Sequence, residues 1–185
     1  RAAAEIEGSK IFMKELMTRV GVKTAPFKVL SGKTETLTYI RHRPFPQVLK
    51  VDGLAGGKGA FVLNELADAW AALGMIFDSK ELAEAGKRLI VEDFLPGEEA
   101  SFIVLTDGEN CVPLPPAQDH KRLNDGDEGP NTGGMGAYVP APVLTPALQQ
   151  RVLKEIIRPL LHGMAEMGRP YRGFLYAGLM ITREG

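Results

Sequence analysis

A chain of 185 residues suits one domain of ordinary size or two small ones. Its 44% hydrophobic and 24% charged residues match soluble globular averages, which excludes disordered and fibrous classes. With 22 basic residues against 23 acidic ones, it has no bulk attraction to nucleic acid or an anionic membrane, so anion recognition must come from local clusters.

In chain order, Gly8 or Ser9 can cap a helix carrying Ile11, Phe12, Leu16, Met17 and Val20, stopped at Gly21. Ala25 to Leu30 reads as a short strand, and Thr34 to His42 as a helix ended by Pro44 and Pro46. Gln47 to Val51 is a strand entering a glycine-rich loop, and Ala60 to Leu63 resumes as its hairpin partner. Glu65 to Phe77 predicts a helix with Leu66, Ala69, Trp70, Leu73 and Ile76 on one face, and Glu81 to Gly86 another turn or two. Arg88 to Leu95 is a strand closed by Pro96-Gly97. Glu98 to Thr106 and Asn110 to Pro115 make a hairpin about Asp107-Gly108. Pro115 to Pro142, rich in Gly, Pro, Asp and Asn, reads as a long loop of the functional kind. Pro146 to Met167 is an amphipathic helix interrupted at Pro159, and Gly173 to Thr182 an apolar strand. The alternation argues α+β or α/β, with a ligand held between a small strand–helix lobe and a second sheet.

No apolar stretch approaches the roughly 20 residues of a membrane span, and no signal-peptide core follows the first charges. Cys111 is single, cannot form an internal disulfide, and beside Val112 and Pro113 reads as a small buried hydrophobe; a reducing, cytoplasmic setting is the default. Both ends look cut. The chain starts without methionine, and its last strand, ending on a turn glycine, expects a partner strand.

The sharpest chemical signal is Lys50-Val-Asp-Gly53-Leu-Ala-Gly56-Gly57-Lys58-Gly59. Such glycines let backbone N–H groups approach an anion closely, and Lys50 and Lys58 add cations, so polyphosphate is the natural ligand. It is not a P-loop, because Lys58 is followed by glycine rather than Ser or Thr. Nor is it a dinucleotide fingerprint, because a strand follows rather than a helix.

A lysine-ended strand, a glycine-rich loop and, about 40 residues on, the strand Val91-Glu92-Asp93-Phe94-Leu95 before Pro-Gly-Glu98-Glu99 together resemble the ATP-grasp ligases. The resemblance implies that the loop folds over a triphosphate and that Glu92, Phe94 and Leu95 line the adenine, with Asp93 also among the ATP-binding residues. Glu98 or Glu99 would accept from the ribose hydroxyls, and Lys10 would be an upstream phosphate-binding lysine. Gln118-Asp119-His120-Lys121-Arg122, followed by Asn131-Thr132-Gly133-Gly134-Met135-Gly136, is similar within that superfamily to the glycinamide ribonucleotide synthetases. Asp107-Gly108 and Gly173 to Met180 also fall where that family has them.

The resemblance implies ligation of glycine to 5-phosphoribosylamine with ATP and Mg2+ or Mn2+ through a glycyl phosphate. Small molecules are then its partners, with neither nucleic acid nor membrane. Lys10, Lys50 and the loop amides would stabilise phosphate charge. Asn131, Thr132 and the following glycines form a backbone nest for a phosphoribosyl group or acyl phosphate. Lys121 and Arg122 supply positive charge. Asp119 can hold an amine or hydroxyls, and His120 is either a base or an orienting group. The metal ligands, a Glu and an Asn, are expected just after Gly185, with none within this chain. The resemblance divides the chain into a helix and linker (1–24), a small lobe (25–95) and an incomplete second lobe (96–185), with N- and C-terminal lobes missing and this piece alone inactive. Gly56 and Asp93 replace the family's commoner Ala and Glu without removing a needed group. Two other readings remain: a different ATP-grasp carboxylate–amine ligase, or a non-catalytic nucleotide-binding module.

Overall fold

Apolar residues at period two and period 3.6 must each find a surface to bury, and here they do so in two compact units. The computed structural model describes residues 2–53, 55, 59–78, 82, 85–126 and 128–183. One unit is built from Glu5–Glu15 and Thr24–Phe94, the other from Leu16–Lys23 and the described residues from Leu95 on, together with those before Glu5.

The first unit opens with α1 (Glu5–Gly8) and the start of α2 (Lys10–Arg19). Ser9 caps α2, its hydroxyl accepting from the Phe12 N–H at 3.0 Å and donating to Asp52 Oδ1 at 2.9 Å. Then come β1 (Phe27–Ser31), α3 (Gly32–Arg41), β2 (Gln47–Val51), β3 (Ala60–Leu63), α4 (Leu66–Asp78), a 3-10 turn at Ala85–Lys87 and β4 (Arg88–Asp93). The four strands form one antiparallel sheet in the order β1-β4-β2-β3. Val51, Leu49, Leu89 and Val91 bury one face with Ile40, Leu73 and Ile76 of α3 and α4. Strand alternation turns Lys50 and Glu92 to the opposite face.

Gln47 to Lys50 pairs with Ala60 to Leu63, so the glycine-rich loop does sit at a hairpin tip. The face of α4 differs from expectation. Ala69, Ala72, Leu73 and Ile76 are buried, whereas Trp70 is 53% exposed and Leu66 also lies outward. Helical period admits two adjacent stripes, and the one that meets the sheet runs at i, i+3, i+4, i+7 through Ala69 and Ala72 rather than through Leu66 and Trp70. The helical turn expected at Glu81 to Gly86 falls largely outside the described residues.

The second unit contains β5 (Glu98–Thr106), β6 (Cys111–Pro113), β7 (Gln118–Asn124), β8 (Glu128–Tyr138), α5 (Pro146–Val152), α6 (Arg158–Glu166) and β9 (Gly173–Ile181). Its sheet runs β6-β5-β9, with β5 paired along its whole length to β9 from Glu98↔Ile181 to Thr106↔Gly173. The last strand thus pairs with one earlier in the chain and forms one edge of this sheet among the described residues. Gly108, at φ 104°, makes the turn where Asp107-Gly108 was expected. Asp107 Oδ1 accepts from the N–H groups of Glu109 and Asn110 at 2.9 and 2.7 Å. Cys111 is half-buried rather than enclosed.

Two expectations change in this unit. The long helix is not broken at Pro159; a π-helical stretch, Leu153–Ile157, joins α5 to α6 and absorbs the missing N–H and the ring. The stretch from Pro115 to Pro142 is not an open loop, because β7 and β8 pair antiparallel within it. Polar and glycine-rich residues have little strand preference of their own, so composition hid a ladder that cross-strand bonds create. Its register shifts between His120 and Arg122 and again before Asn124. The shifted section is held by Arg122 Nη1 donating to the Gly129 carbonyl at 2.7 Å and Thr132 Oγ1 donating to the Lys121 carbonyl at 2.9 Å.

Candidate functional site

On the sheet face away from the apolar core, the first unit gathers lysines around two carboxylates. Lys50 and Glu92 are diagonal neighbours on β2 and β4, and Lys50 Nζ donates to Glu92 Oε2 at 2.9 Å. Lys14, one helical turn beyond Lys10 on α2, brings its Nζ to 3.2 Å from Glu92 Oε1, an ion-pair distance without hydrogen-bond alignment. Both of those side chains are 5% exposed. Lys10 Nζ donates to the Gly53 carbonyl at 2.9 Å, where the chain leaves β2. Asp52, beside it, accepts from the Ile11 N–H at 2.8 Å and so fixes the start of α2 against the root of the loop.

Burial pulls Lys10 below its ordinary pKa, and nearby Lys50 adds to this, while Asp52 and Glu92 oppose it. Burial does the same to Lys14, with Glu92 opposing and Lys50 reinforcing. The result is a knot of positive charge, partly desolvated, at the mouth of a glycine-rich loop. Gly59 closes that loop where no side chain fits, since a Cβ there would collide with Val51 and Ala55. Gly56, Gly57 and Lys58 lie outside the described residues.

The rest of the expected adenine strand divides. Glu92 is buried, with its carboxylate committed to lysines. Asp93 is half-exposed and pairs with Arg43 at 2.5 Å, and Phe94 is exposed. In the second unit Leu95 is half-buried, while Glu98 and Glu99 stand exposed at the start of β5.

The β7–β8 hairpin splits the residues expected to act together. Asp119 and Lys121 share one face, where Lys121 Nζ lies 3.0 Å from Glu99 Oε2 and 3.6 Å from Asp119 Oδ2. Burial draws Lys121 down, but the Glu99 hydrogen bond, with the charges of Glu99 and Asp119, outweighs it and raises the ammonium above its usual pKa. His120 belongs to the other face, with its ring 5.5 Å from that of Tyr138, whose hydroxyl donates to the buried Gln118. Arg122 is tied to the hairpin through Gly129. Asn131 is in register with Arg122, and Gly133, Gly134 and Met135 are exposed. The expected nest has one donor already used, because the Gly134 N–H bonds Thr132 Oγ1 at 3.0 Å.

Residues 8–185 match the model of the phosphoribosylglycinamide synthetase ATP-grasp (A) domain. The chain belongs to this family. It is 52% identical over 185 residues to the phosphoribosylamine–glycine ligase of Ralstonia nicotianae, covering all of this chain and 44% of that protein. With that of Vibrio vulnificus it shares 50%, over 43% of the relative. The chain thus spans less than half the length of the curated relatives it matches. The crystal structure of phosphoribosylamine–glycine ligase from Thermotoga maritima superposes with a TM-score of 0.85 at 38% identity, over 98% of this chain and 46% of that one. An N5-carboxyaminoimidazole ribonucleotide synthetase solved as its ADP complex shares the fold alone, with a TM-score of 0.70 at 22% identity over 96% of this chain and 42% of that one.

The site residues legible in the sequence include neither Lys14 nor Asp52. Lys14 had a signal: two lysines at i and i+4 repel on a solvated helix and so point to a shared anionic neighbour. Asp52 had none, because its partners Ser9 and Ile11 lie far away in the chain.

Proposed function

We propose that this chain is the ATP-binding core of a phosphoribosylamine–glycine ligase, joining glycine to 5-phosphoribosylamine with formation of ADP and phosphate. The observation that carries the reading is the Lys10, Lys14 and Lys50 cluster at the root of the glycine-rich loop, in a chain of this family. A free carboxylate is unreactive toward amines, so ATP serves to activate it. Glycine's carboxylate oxygen attacks the γ-phosphorus and ADP departs, leaving glycyl phosphate. The phosphoribosylamine nitrogen then attacks the acyl carbon and expels phosphate. Little covalent work falls to the protein, and positioning with charge neutralisation dominates. Lys10, Lys50 and the loop amides hold the phosphates. Loop closure, with Gly56, Gly57 and Lys58 over the triphosphate, keeps water from the acyl phosphate. Glu92, Phe94 and Leu95 line the adenine, with Asp93 beside them in the ATP site, and Glu98 or Glu99 takes the ribose. Asp119, Lys121, Arg122, Asn131, Thr132, Gly133, Gly134 and Met135 serve the other substrates, with His120 orienting.

ATP enters with Mg2+ or Mn2+ in this reading. Among the described residues no group of three His, Cys, Asp or Glu could hold such an ion. A cytoplasmic setting fits the single cysteine, and no helix among the described residues is long and apolar enough to cross a membrane. The deciding measurement is ADP release by the full-length protein carrying this chain. Release that depends on both glycine and phosphoribosylamine supports the reading. Release with another carboxylate and amine points to a different ligase, and no release with retained ATP binding points to a nucleotide-binding module.

A further inference from the structure

Glu92 sits on β4, between β1 and β2, and its carboxylate is divided between two lysines in different settings. Lys14, facing Oε1, is enclosed: its side chain is 5% exposed, its Nζ donates to Thr24 Oγ1 at 2.5 Å, and it lies 5.6 Å from the centre of the Phe27 ring. Lys50, on Oε2, is 29% exposed and stands at the end of β2 where the glycine-rich loop begins. One lysine is anchored from several sides, and the other is partly exposed.

This asymmetry has an energetic meaning. A buried carboxylate that loses all its counter-ions is strongly destabilising. Were Lys50 the sole neutraliser of Glu92, every phosphate that drew Lys50 away would leave that charge bare. We propose that Lys14 is a positioning residue, the standing counter-ion of Glu92, whose presence lets Lys50 exchange Glu92 for the phosphates of an incoming nucleotide. The proposal rests on the reading that this cluster receives a polyphosphate. Lys14 touches no phosphate in it; the residue acts through Glu92 on Lys50. Lys10 Nζ donates to the Gly53 carbonyl at the loop root.

The test is a mutant cycle read as ATP affinity in the full-length protein carrying this chain, by calorimetry, with thermal unfolding recorded for each variant. Lys14→Met leaves Glu92 with Lys50 as its ion pair and holds Lys50 back, so ATP affinity is expected to fall at least about tenfold. Adding Glu92→Gln to Lys14→Met removes the charge that retains Lys50 and regains most of the loss. Lys14→Arg keeps the counter-ion and stays within about threefold of the wild type. A merely structural Lys14 would make the double variant no better than the single one, and that result overturns the proposal. So does unchanged affinity in a folded Lys14→Met protein. Where Lys14→Met does not unfold cooperatively, Lys14→Gln takes its place in the cycle, and a folded Lys14→Arg protein with tenfold weaker binding also overturns it. Failure of the wild-type protein to bind ATP removes the polyphosphate reading itself and this inference with it. Wild-type binding with a failed cycle removes the exchange alone.

Discussion

Glu92 and Glu99 are near neighbours in sequence, yet each meets its lysines in a different physical setting. Glu92 is 5% exposed on the middle of a four-stranded sheet, with lysines on both carboxylate oxygens. Glu99 is 51% exposed at the start of β5, and its partner Lys121 is 37% exposed on a two-stranded hairpin. Both clusters carry opposite charges in contact, but water screens only the second. Burial, more than the number of charges, decides which pair shapes the fold and which pair water screens.

The largest expected effect tests the buried side of this contrast. Glu92→Ala should cost roughly 3–5 kcal/mol in denaturant unfolding, because it strands Lys14 in a buried position. A loss below about 1 kcal/mol would place Glu92 with the surface pairs. Next, Lys50→Ala in the full-length protein should lower kcat/KM for ATP by about 10²–10³, the usual effect of removing one charge-stabilising donor. Near-normal kinetics would end the phosphate role given to Lys50.

Gly59→Ala forces a Cβ against Val51 and Ala55, and a loss of about 1–3 kcal/mol is expected, with weaker ATP binding as the loop root shifts. Lys121→Ala, on the exposed side, should change stability by less than about 1 kcal/mol, and that small effect should shrink further in high salt. Its weight should appear instead in the KM for a substrate. The smallest effect concerns pH. Backbone N–H groups of Glu109 and Asn110 lower the Asp107 carboxyl from 3.8 to about 2, so its contribution is complete above pH 3.8 and lost as pH falls toward 2. Asp107→Asn should flatten stability across that window in acid unfolding, and an unchanged slope would refute the assignment.

Features that depend on near neighbours were legible in the chain. Asp107-Gly108 announced its turn because Gly accepts φ 104° and Asp caps the following amides. The β2–loop–β3 hairpin followed from apolar runs on either side of clustered glycines. Trp70 misled because helical period alone leaves open which of two adjacent stripes meets the sheet. The β7–β8 ladder was hidden because glycine and polar residues become strand only when a partner strand supplies the bonds.

For this protein the sequence alone determined the hairpin that carries the glycine-rich loop, the family motif from Gln118 to Gly136, and the strands and helices whose apolar residues keep a regular period. Those properties are written in backbone preference, spacing and charge within a few residues. Only the tertiary structure decided that Lys14 faces Glu92, that Asp52 locks α2 to the loop root, and that Asp119 and Lys121 part from His120 on opposite faces of a hairpin. Burial and cross-strand register belong to pairs of elements, and no single stretch of chain contains them.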